Sequence, residues 1–474
     1  MNISTSFDLS TIGTLKRALF ASLTVAALSI GQTARAQDAP ARPAATLFQN
    51  VHIFDGKSAE LSTPSNVLVR GNTIERISTA PIAVDADDSI RVVPADGRVL
   101  MPGLIDAHWH VFMAGTPQPV LLTGDPAYLN LLAARQAEAT LMRGFTTVRD
   151  LGGPVFSLKR AIDEGVTNGP RIYPSGAFIS QTSGHGDFRF DFELPRQPGG
   201  PLSRSEAEGV SAIADSPDEV RLRAREQLRA GASQIKVMAS GGVSSQFSHI
   251  EANEFTEAEL RAAVEAAGDW GTYVTAHAYT PNAVQRAIRA GVKVIDHGQL
   301  ADEETVRMMA DKGIWWSLQP LTYDADVFAR MSPVSQKKAL EVFAGTENAY
   351  RLAKQYNVKT AWGSDILFDA GAASRQGSYL AMMSRWYTPA QALRMATASN
   401  GELLALSGFI NPYPGKLGVI EEGALADLLL VDGNPLEHLD LVADPDKNFR
   451  VIMKDGTIYK NTLTPPSVVS SNTP

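Results

Sequence analysis

The sequence predicts an α/β fold, a (β/α)8 TIM barrel accompanied by a small β-sandwich-like domain that both chain ends build. Short apolar segments alternate with helical patterns through the middle of the chain, and β-like runs broken by Gly, Asp and Asn flank that region. A chain of 474 residues, 44% hydrophobic and 20% charged, is long enough to bury such a core.

The first 36 residues have the order of a secretory signal peptide. Lys16 and Arg17 precede the uncharged run ALFASLTVAALSIG, and the small-residue triplet ARA ends at Ala36. The run is shorter than a membrane-spanning helix, which argues against a retained membrane anchor. We therefore expect cleavage near Ala36, export to the bacterial periplasm or the medium, and a flexible lead-in over residues 37–45.

Charge and cysteine content restrict the partners and the metal chemistry. Removal of the signal peptide takes away three basic residues and one acidic residue, so the remaining chain has a net charge of about −10. An acidic chain without a basic cluster gives no reason to expect nucleic acid or a membrane as a partner. Because the chain has no cysteine, a metal site has to use histidine, carboxylate or lysine. We also expect a homo-oligomer.

Eight apolar segments are predicted to form the parallel strands of the barrel. They are GLIDAHWH (103–110), GFTTVRD (144–150), PRIYPSG (170–176), SQIKVMAS (233–240), YVTAHAY (273–279), VKVIDHG (292–298), GIWWSLQ (313–319) and VKTAWGSD (358–365). Helical patterns closed by glycine, such as residues 216–231 and 256–271, lie between them. This alternation favours a closed barrel over residues 101–400. An open doubly wound sheet is the alternative, although no Gly-rich phosphate loop joins a strand to its helix.

The flanking β-like runs occupy residues 46–100 and 401–462. They are TLFQNVHIFDG, SNVLVRGNTIERIS and IRVVPADGRVL before the barrel, and ADLLLVDGNP and FRVIMKDGTIYKN after it. We expect the two sets to meet in one β domain beside the barrel, and residues 463–474 to form a disordered tail.

The ends of the predicted barrel strands carry histidine and aspartate, the kinds of side chain that commonly bind metals. His108 and His110 end the first strand, and their spacing of two places both side chains on one face. His277, His297 and Asp365 lie in or at the end of the fifth, sixth and eighth strands. The C-terminal ends of barrel strands are where such folds place their functional residues. Because imidazole and carboxylate are common ligands of divalent cations, the strand ends predict a metal site.

Lys236 lies within the otherwise apolar fourth strand, and an ammonium group cannot bind a cation. Burial lowers the pKa of a lysine, and the neutral amine can react with carbon dioxide to give a carbamate, whose two oxygens can bridge a metal pair. The alternative is a buried lysine paired with a nearby carboxylate.

The motifs DAHWH, AHAY, IDHG and GSD, with the strand-four lysine, resemble the binuclear branch of the amidohydrolase superfamily over residues 46–462. Within it, IKVMASGGV, SGHGD and the tail GVIEEGALADLLLVDGNP resemble the imidazolonepropionase-like amidohydrolases, which include Xaa-Pro and Xaa-Arg/Lys carboxydipeptidases and ochratoxin-cleaving amidases. The resemblance implies two divalent ions, expected to be Zn²⁺, a carbamate on the lysine, and the following ligands: His108, His110, Lys236, His277, His297 and Asp365.

The resemblance also implies catalytic roles. Asp365 would accept the proton of a metal-bridging hydroxide as that hydroxide attacks a carbonyl and pass it to the leaving nitrogen; a helix-capping aspartate is the alternative. His185, in the loop SQTSGHGDF, would polarise the scissile carbonyl, unless it is a solvated loop residue. Tyr279 shares a face with His277 and can reach a substrate carboxylate, or it packs at the barrel rim.

Several further residues are candidates for the substrate pocket. Arg149, Arg189 and residues 319–330 could bind a substrate carboxylate. The loop 186–206, rich in aromatic residues, proline and glycine, is expected to cover the site. Trp109, between the first two histidines, is expected to face away from the metals.

We therefore expect a metal-dependent amidohydrolase that cleaves small-molecule amides. The expected substrates are dipeptides or N-acyl amino acids with a free C-terminal carboxylate, including ochratoxin-type amides. A lactonase, esterase or cyclic-amide hydrolase on the same site is the alternative activity. A one-metal deaminase would lack Lys236, and a catalytically inactive binding protein of the same fold would be expected to have lost ligands, none of which is missing.

Overall fold

The computed structural model describes residues 45–83, 90–197 and 199–463. The predicted signal peptide, all but the last residue of the lead-in and residues 464–474 lie outside this part of the chain. Within it, none of the helices is both long enough and apolar enough to cross a membrane.

The strands fall into two groups, one at the two chain ends and one in the middle of the chain. The terminal strands are β1 (Ala45–Ile53), β2 (Ser65–Arg70), β3 (Thr73–Ser78), β4 (Ile90–Pro94), β5 (Val99–Pro102), and later β16 (Leu428–Val431), β17 (Phe449–Lys454) and β18 (Thr457–Asn461). The central strands are β6 (Leu104–Trp109), β7 (Phe145–Asp150), β8 (Arg171–Pro174), β9 (Phe178–Ser180), β10 (Ser211–Ile213), β11 (Ile235–Met238), β12 (Val274–Ala278), β13 (Val294–His297), β14 (Trp315–Leu318) and β15 (Lys359–Trp362).

Most helices lie between the central strands. They are α1 (Gln118–Thr123), α2 (Pro126–Met142), α3 (Phe156–Asp163), α4 (Arg204–Ala207), α5 (Pro217–Ala230), α6 (Glu257–Asp269), α7 (Pro281–Ala290), α8 (Glu303–Asp311), α9 (Ala325–Arg330), α10 (Pro333–Gln355), α11 (Ala370–Ser374), α12 (Gln376–Ala381), α13 (Pro389–Arg394), α14 (Asn400–Leu404) and α15 (Pro445–Asn448). Short 3-10 segments cover Met382–Arg385, Ala405–Ile410 and Leu439–Ala443, and a π-helical turn, Met395–Ser399, joins α13 to α14.

The two chain ends meet in one β structure, as the sequence predicts. Strand β5 from the N-terminal side pairs antiparallel with β16 from the C-terminal side, with Leu100 opposite Leu430. Strand β1 pairs with β2 from Ala45 to Val51, with β4 along its first half and with β5 at its end. Apolar side chains from both ends, such as Phe48, Val67 and Met453, share one buried cluster. Burial of this shared core holds the two ends of the chain together.

The central strands form the predicted barrel. Strands β6, β7 and β8 pair in parallel, and β11 to β15 pair in parallel in chain order. Backbone hydrogen bonds join these two groups at both edges: Ser233 donates to the carbonyl of Pro174 at 2.8 Å, and Asp365 donates to the carbonyl of His108 at 2.9 Å. The barrel therefore closes, and the ends of β6 and β15 lie side by side.

Two helices between barrel strands begin and end where their sequences predict. Ser216 caps α5 through the N–H of Glu219, and Gly231 ends it with φ 107°. Thr256 and Glu259 form a capping box at the start of α6. These caps satisfy free backbone groups at the helix ends, so the chain changes direction at fixed residues between one barrel strand and the next.

Strands β9 and β10 are not among the predicted elements. Each has three residues, and β9 pairs in parallel with both β10 and β11. A segment of three residues is too short to show periodicity, so its strand geometry depends on its neighbours. These two strands extend the barrel wall beside the loop that carries His185.

Candidate metal centre and active site

The predicted ligands from distant strands converge at one end of the barrel. One ligand atom from each of His108, His297 and Asp365 lies within 4.8 Å of the other two. Asp365 Oδ1 lies 3.2 Å from His108 Nε2 and 3.4 Å from His110 Nε2. The His277 and His297 ring centroids are 4.4 Å apart. The structure thus brings together four histidines and one aspartate that the sequence places at strand ends.

Two of these residues adopt left-handed backbone conformations where their strands end. His297 has φ 73° and Asp365 has φ 50°. Such values are uncommon for residues other than glycine and concentrate at functional sites. In the pairing register Ala278 lies opposite His297, and the left-handed turn at His297 ends the strand alternation. Adjacent residues Asp296 and His297 can therefore both face the barrel interior.

Hydrogen bonds fix which ring nitrogen of two histidines is free to bind a metal. His277 Nε2 lies 3.1 Å from the carbonyl oxygen of Gly241, which can only accept, so Nε2 carries the proton and the Nδ1 lone pair is free. His297 Nδ1 lies 2.9 Å from Oε1 of Gln319, which leaves Nε2 free. Orientation by a second hydrogen bond is typical of metal-binding histidines.

The electrostatics of the cluster suit neutral imidazole ligands. Burial lowers the pKa of His110, and it lowers the pKa values of His277 and His297 well below the usual range. Burial opposes protonation of His108 as well, but the charge of Asp365, together with the charge of Asp296 and a hydrogen bond to it, outweighs burial and raises the pKa of this ring. Because a metal ligand must offer a lone pair, neutral buried imidazoles beside a carboxylate fit a divalent cation.

In the described part of the chain, one ring nitrogen of His110 is buried without a partner on the side of the ring away from Asp365. Nδ1 of His110 is buried and has no hydrogen-bond partner among the described residues, although its ring lies beside Asp365. A buried polar atom without a partner costs free energy unless an unseen ligand or water satisfies it. The ligand atoms of His108, His297 and Asp365 by themselves lie close enough together to hold a metal ion.

Lys236 points into the same barrel interior, where it is paired with a carboxylate. Its Nζ lies 2.6 Å from Oδ2 of Asp296, and both side chains are fully buried. Asp296 also accepts hydrogen bonds from Arg149 at 2.7 Å and Thr275 at 2.6 Å. This unmodified lysine has the arrangement considered above as the alternative to a carbamate, and it still lines the cavity over the histidines.

Arg149 is not the carboxylate-binding residue that the sequence suggested. Its side chain is fully buried and donates to Asp296 and, at 2.5 Å, to the carbonyl of Ala107. It does not line the cavity. The prediction for Arg149 is wrong because a charged group in a barrel strand can find its partner inside the barrel. Arg189, which pairs with Asp187, does not line the cavity either.

His185 joins the cluster from the loop after β9. Its ring stacks on that of His277, with centroids 4.2 Å apart and planes 24° from parallel. Burial lowers the pKa of His185 to about 3, so the ring is neutral near pH 7. It lines the cavity beside His110. The loop residue is therefore not a solvated histidine but a buried side chain at the active end of the barrel.

Tyr279 lines the same cavity two residues beyond His277. Its ring stacks on His297 with centroids 5.0 Å apart, and only 3% of the residue is exposed. Burial and the negative charge of Asp365 raise the pKa of its hydroxyl well above the usual value, so the hydroxyl remains a hydrogen-bond donor at neutral pH.

The cavity above the histidine cluster has a volume of about 790 Å³. Its walls are rich in large apolar side chains, among them Met113, Phe178, Phe188, Met238, Phe328 and Phe343. Segment 319–330 contributes to it, as the sequence suggested. Of the predicted covering loop 186–206, Phe188 reaches the cavity, whereas Phe192 is 82% exposed to solvent. Trp109 is fully buried and does not line the cavity, consistent with a side chain turned away from the histidines.

Three polar residues support the histidine cluster, a role that the sequence analysis did not assign to any of them, although Gln319 lies in the predicted pocket segment 319–330. Asp296 binds Lys236, Gln319 lies within hydrogen-bond distance of both His297 and His108, and Asp106 accepts hydrogen bonds from Ser364 beside Asp365. Asp296 and Asp106 stand out as charged residues within apolar strands, the same signal that identified Lys236. Gln319 gives no comparable signal, since it follows its strand like any loop residue.

The structure is a (β/α)8 barrel that gathers histidines and a carboxylate below an apolar cavity, an arrangement typical of barrel enzymes with a metal site. The chain belongs to the amidohydrolase family, whose sequence model matches residues 99–460. It is a hydrolytic enzyme that acts on amides.

Several individual relatives resemble the chain along most of its length. It is 32% identical over 390 residues to the ochratoxinase of Aspergillus niger, covering 76% of each chain. A prolidase crystallised with N-methylphosphonate-L-proline superposes with a TM-score of 0.80 at 34% identity, covering 88% of this chain and all of that one. A Xaa-Pro dipeptidase with bound methionine superposes with a TM-score of 0.75 at 28% identity, with the same coverage.

Proposed function

We propose that this enzyme hydrolyses the amide bond of N-acyl amino acids or dipeptides with a free C-terminal carboxylate, and that two divalent ions, expected to be Zn²⁺, are its cofactors. The observation that carries the proposal is the meeting of His108, His297 and Asp365 within 4.8 Å below a cavity of about 790 Å³. His110, His277 and a carboxylated Lys236 would complete the ligand set. When bound, such ions lower the pKa of a water molecule and polarise a carbonyl group.

Asp365 is the residue that moves the proton. Its carboxylate touches His108 and His110 and also faces the cavity, so one group can contact both the cluster and a substrate. It accepts the proton of the attacking water and delivers it to the nitrogen as the C–N bond breaks. The products are a carboxylic acid and an amino acid. The carboxylate is suited to this task because it is fixed by two imidazoles rather than free in solvent.

His185 and Tyr279 orient the substrate in this proposal. His185, stacked on His277, donates from its neutral ring to the oxygen of the scissile carbonyl, where negative charge develops. Tyr279 donates its hydroxyl to the substrate carboxylate. The prolidase and dipeptidase relatives support a substrate with a carboxylate, because the C-terminal amino acid of a dipeptide carries a free carboxylate.

The apolar walls support a bulky acyl group on the other side of the scissile bond. Phe178, Phe188 and Phe343 line the cavity, and aromatic side chains of this kind bury flat apolar groups well. The ochratoxinase relative adds support for an aromatic acyl group. Within the proposed class, we therefore favour amides in which an aromatic or large aliphatic acyl group is joined to an amino acid.

A substrate panel tests the proposal. N-acyl amino acids are expected to be hydrolysed much faster than the same compounds with the carboxylate converted to an amide, and faster than simple lactones. Tyr279→Phe is expected to lower kcat/KM for the free acids by a factor that corresponds to about 1.5–3 kcal/mol, because a hydrogen bond to a charged group is lost. The same substitution should leave kcat/KM for the amidated compounds almost unchanged. Equal rates with and without the carboxylate, or a preference for lactones, would contradict the proposed substrate class.

Export is part of the same proposal and depends on the N-terminal sequence. The charged, apolar and small-residue order of residues 1–36 supports cleavage after Ala36. N-terminal sequencing of the protein recovered from the periplasm or the medium is expected to begin at Gln37. A protein that begins at Met1 and sediments with membranes would contradict export.

A further inference from the structure

Glu254 is a buried carboxylate outside the metal cluster that joins three segments around His185. Only 1% of the residue is exposed. Its Oε1 accepts hydrogen bonds from the backbone N–H of His185 and from the hydroxyl of Ser248, both at 2.7 Å. Its Oε2 lies 3.5 Å from the hydroxyl oxygen of Ser180 in β9. Glu254 itself is fixed to the end of β11, because its N–H donates to the carbonyl of Ala239 at 2.9 Å.

The ring of His185 has no comparable anchor. Its Nδ1 is buried without a hydrogen-bond partner among the described residues. The ring lies between His277 and Gly242, so closely that a Cβ atom added to Gly242 would lie 2.2 Å from His185 Cε1. Packing between His277 and Gly242 fixes the plane of the His185 ring. The position of the ring within that plane depends on where the His185 backbone is held.

A buried lysine fixes the loop that carries Gly242, which packs against the His185 ring on the side opposite His277. Lys338 of α10 is buried, and its Nζ donates to the carbonyls of Gly242 at 3.2 Å, Ser245 at 2.8 Å and Ser248 at 2.5 Å. All three ammonium protons are used in these contacts. Lys338 thus holds the loop after β11 through three of its backbone carbonyl groups. Glu254 links the same loop, at Ser248, to the backbone of His185.

We propose that Glu254 is a positioning residue that sets the place of the His185 imidazole over the cavity. The bond from the His185 N–H to Oε1 of Glu254 is short, at 2.7 Å. Burial raises the pKa of Glu254 to about 7, and a carboxyl group keeps an oxygen that accepts this bond whether it is ionised or protonated. Ser180 and Ser248 hold the carboxylate in turn. The inference rests on the proposed role of His185 in polarising the scissile carbonyl.

A double-mutant cycle tests this inference with the metal-loaded enzyme. His185→Asn is expected to lower kcat on the order of a hundredfold, the usual effect of removing one such donor. Glu254→Ala is expected to lower kcat by a similar factor, on the order of a hundredfold, since a displacement of about 1 Å can cost that much. KM and metal content are expected to stay within about threefold of wild type. The double variant is expected to be no slower than His185→Asn alone, because both changes remove one function.

Two further variants separate positioning from general damage. Glu254→Gln keeps an oxygen that accepts from His185 and Ser248, and we expect it to stay within about threefold of the wild-type kcat. Ser248→Ala leaves the bond to His185 intact but removes one of the two hydroxyl groups that hold Glu254, so we expect its kcat to lie between those of wild type and Glu254→Ala. If Glu254→Ala does not fold, Glu254→Leu, which has similar volume and no acceptor, takes its place in the cycle.

The outcomes that overturn the inference differ from those that overturn the proposed function. A slow His185→Asn with a Glu254→Ala or Glu254→Leu variant at wild-type speed contradicts only the role of Glu254. Losses that multiply in the double variant, or a fall in metal content, mean that Glu254 is structural and also contradict the inference. A His185→Asn variant at wild-type speed contradicts the role of His185, and the inference fails with it.

Discussion

Replacing Asp365 with asparagine is expected to lower kcat for amide hydrolysis by about 10²–10⁴-fold. Asparagine keeps the shape of the side chain and its contacts with His108 and His110, but an amide oxygen does not take up a proton near pH 7. The variant therefore removes proton transfer with little change of packing. The measurement is kcat for an N-acyl amino acid at saturating substrate, together with metal content and thermal stability.

Asp324→Asn is the matched control for this experiment. Asp324 lines the same cavity and is held by Arg375 at 2.9 Å. Its side chain also caps α9 through the N–H groups of Asp326 and Val327, and asparagine caps a helix about as well as aspartate. We expect its kcat to stay within about threefold of wild type. An Asp365→Asn variant as active as the Asp324→Asn control would show that another group transfers the proton.

Replacing Lys236 with alanine is expected to deplete the bound metal and to lower kcat/KM by more than about a hundredfold. Substitution of residues that merely support metal ligands costs about 10–100-fold, so loss of Lys236 should cost more if it is the ligand that we propose. The wild-type enzyme, purified without chelator, is expected to hold close to two divalent ions per chain. Elemental analysis of both proteins, with activity measured on the same samples, gives the comparison.

Small carboxylic acids distinguish a carbamate from a lysine that acts only as the ion-pair partner of Asp296. If Lys236 carries a carbamate, acetate or propionate can occupy the space left in Lys236→Ala and replace the missing anion, and they are expected to restore part of the activity and the metal content. If Lys236 acts as an ammonium paired with Asp296 at 2.6 Å, an added anion restores nothing, whereas methylamine, a cation, can do so. Rescue by the amine alone would contradict the carbamate.

Most of what the sequence predicted about the site came from the residues at the ends of the barrel strands. His108 and His110 could be placed on one face because strand residues alternate, and His277, His297 and Asp365 could be placed at one end because parallel strands of a barrel end together. The structure places all five in one cluster. The β structure at the chain ends could also be predicted from the sequence, because turn residues bound each β-like run on both sides of the barrel. Strands β5 and β16, one from each end, pair as expected.

The sequence by itself therefore determined the barrel, the terminal β structure and the strand ends that carry the histidines. Tertiary structure alone decided that Arg149 faces Asp296 inside the barrel instead of a substrate, and that Glu254 reaches the backbone of His185. The physical reason is that hydrophobic periodicity reports only whether a face is buried. Both faces of a barrel strand are buried, so strand register decides which residue a charged side chain in the strand contacts. The partner of a loop residue depends on how the loop packs. The local sequence shows neither register nor packing.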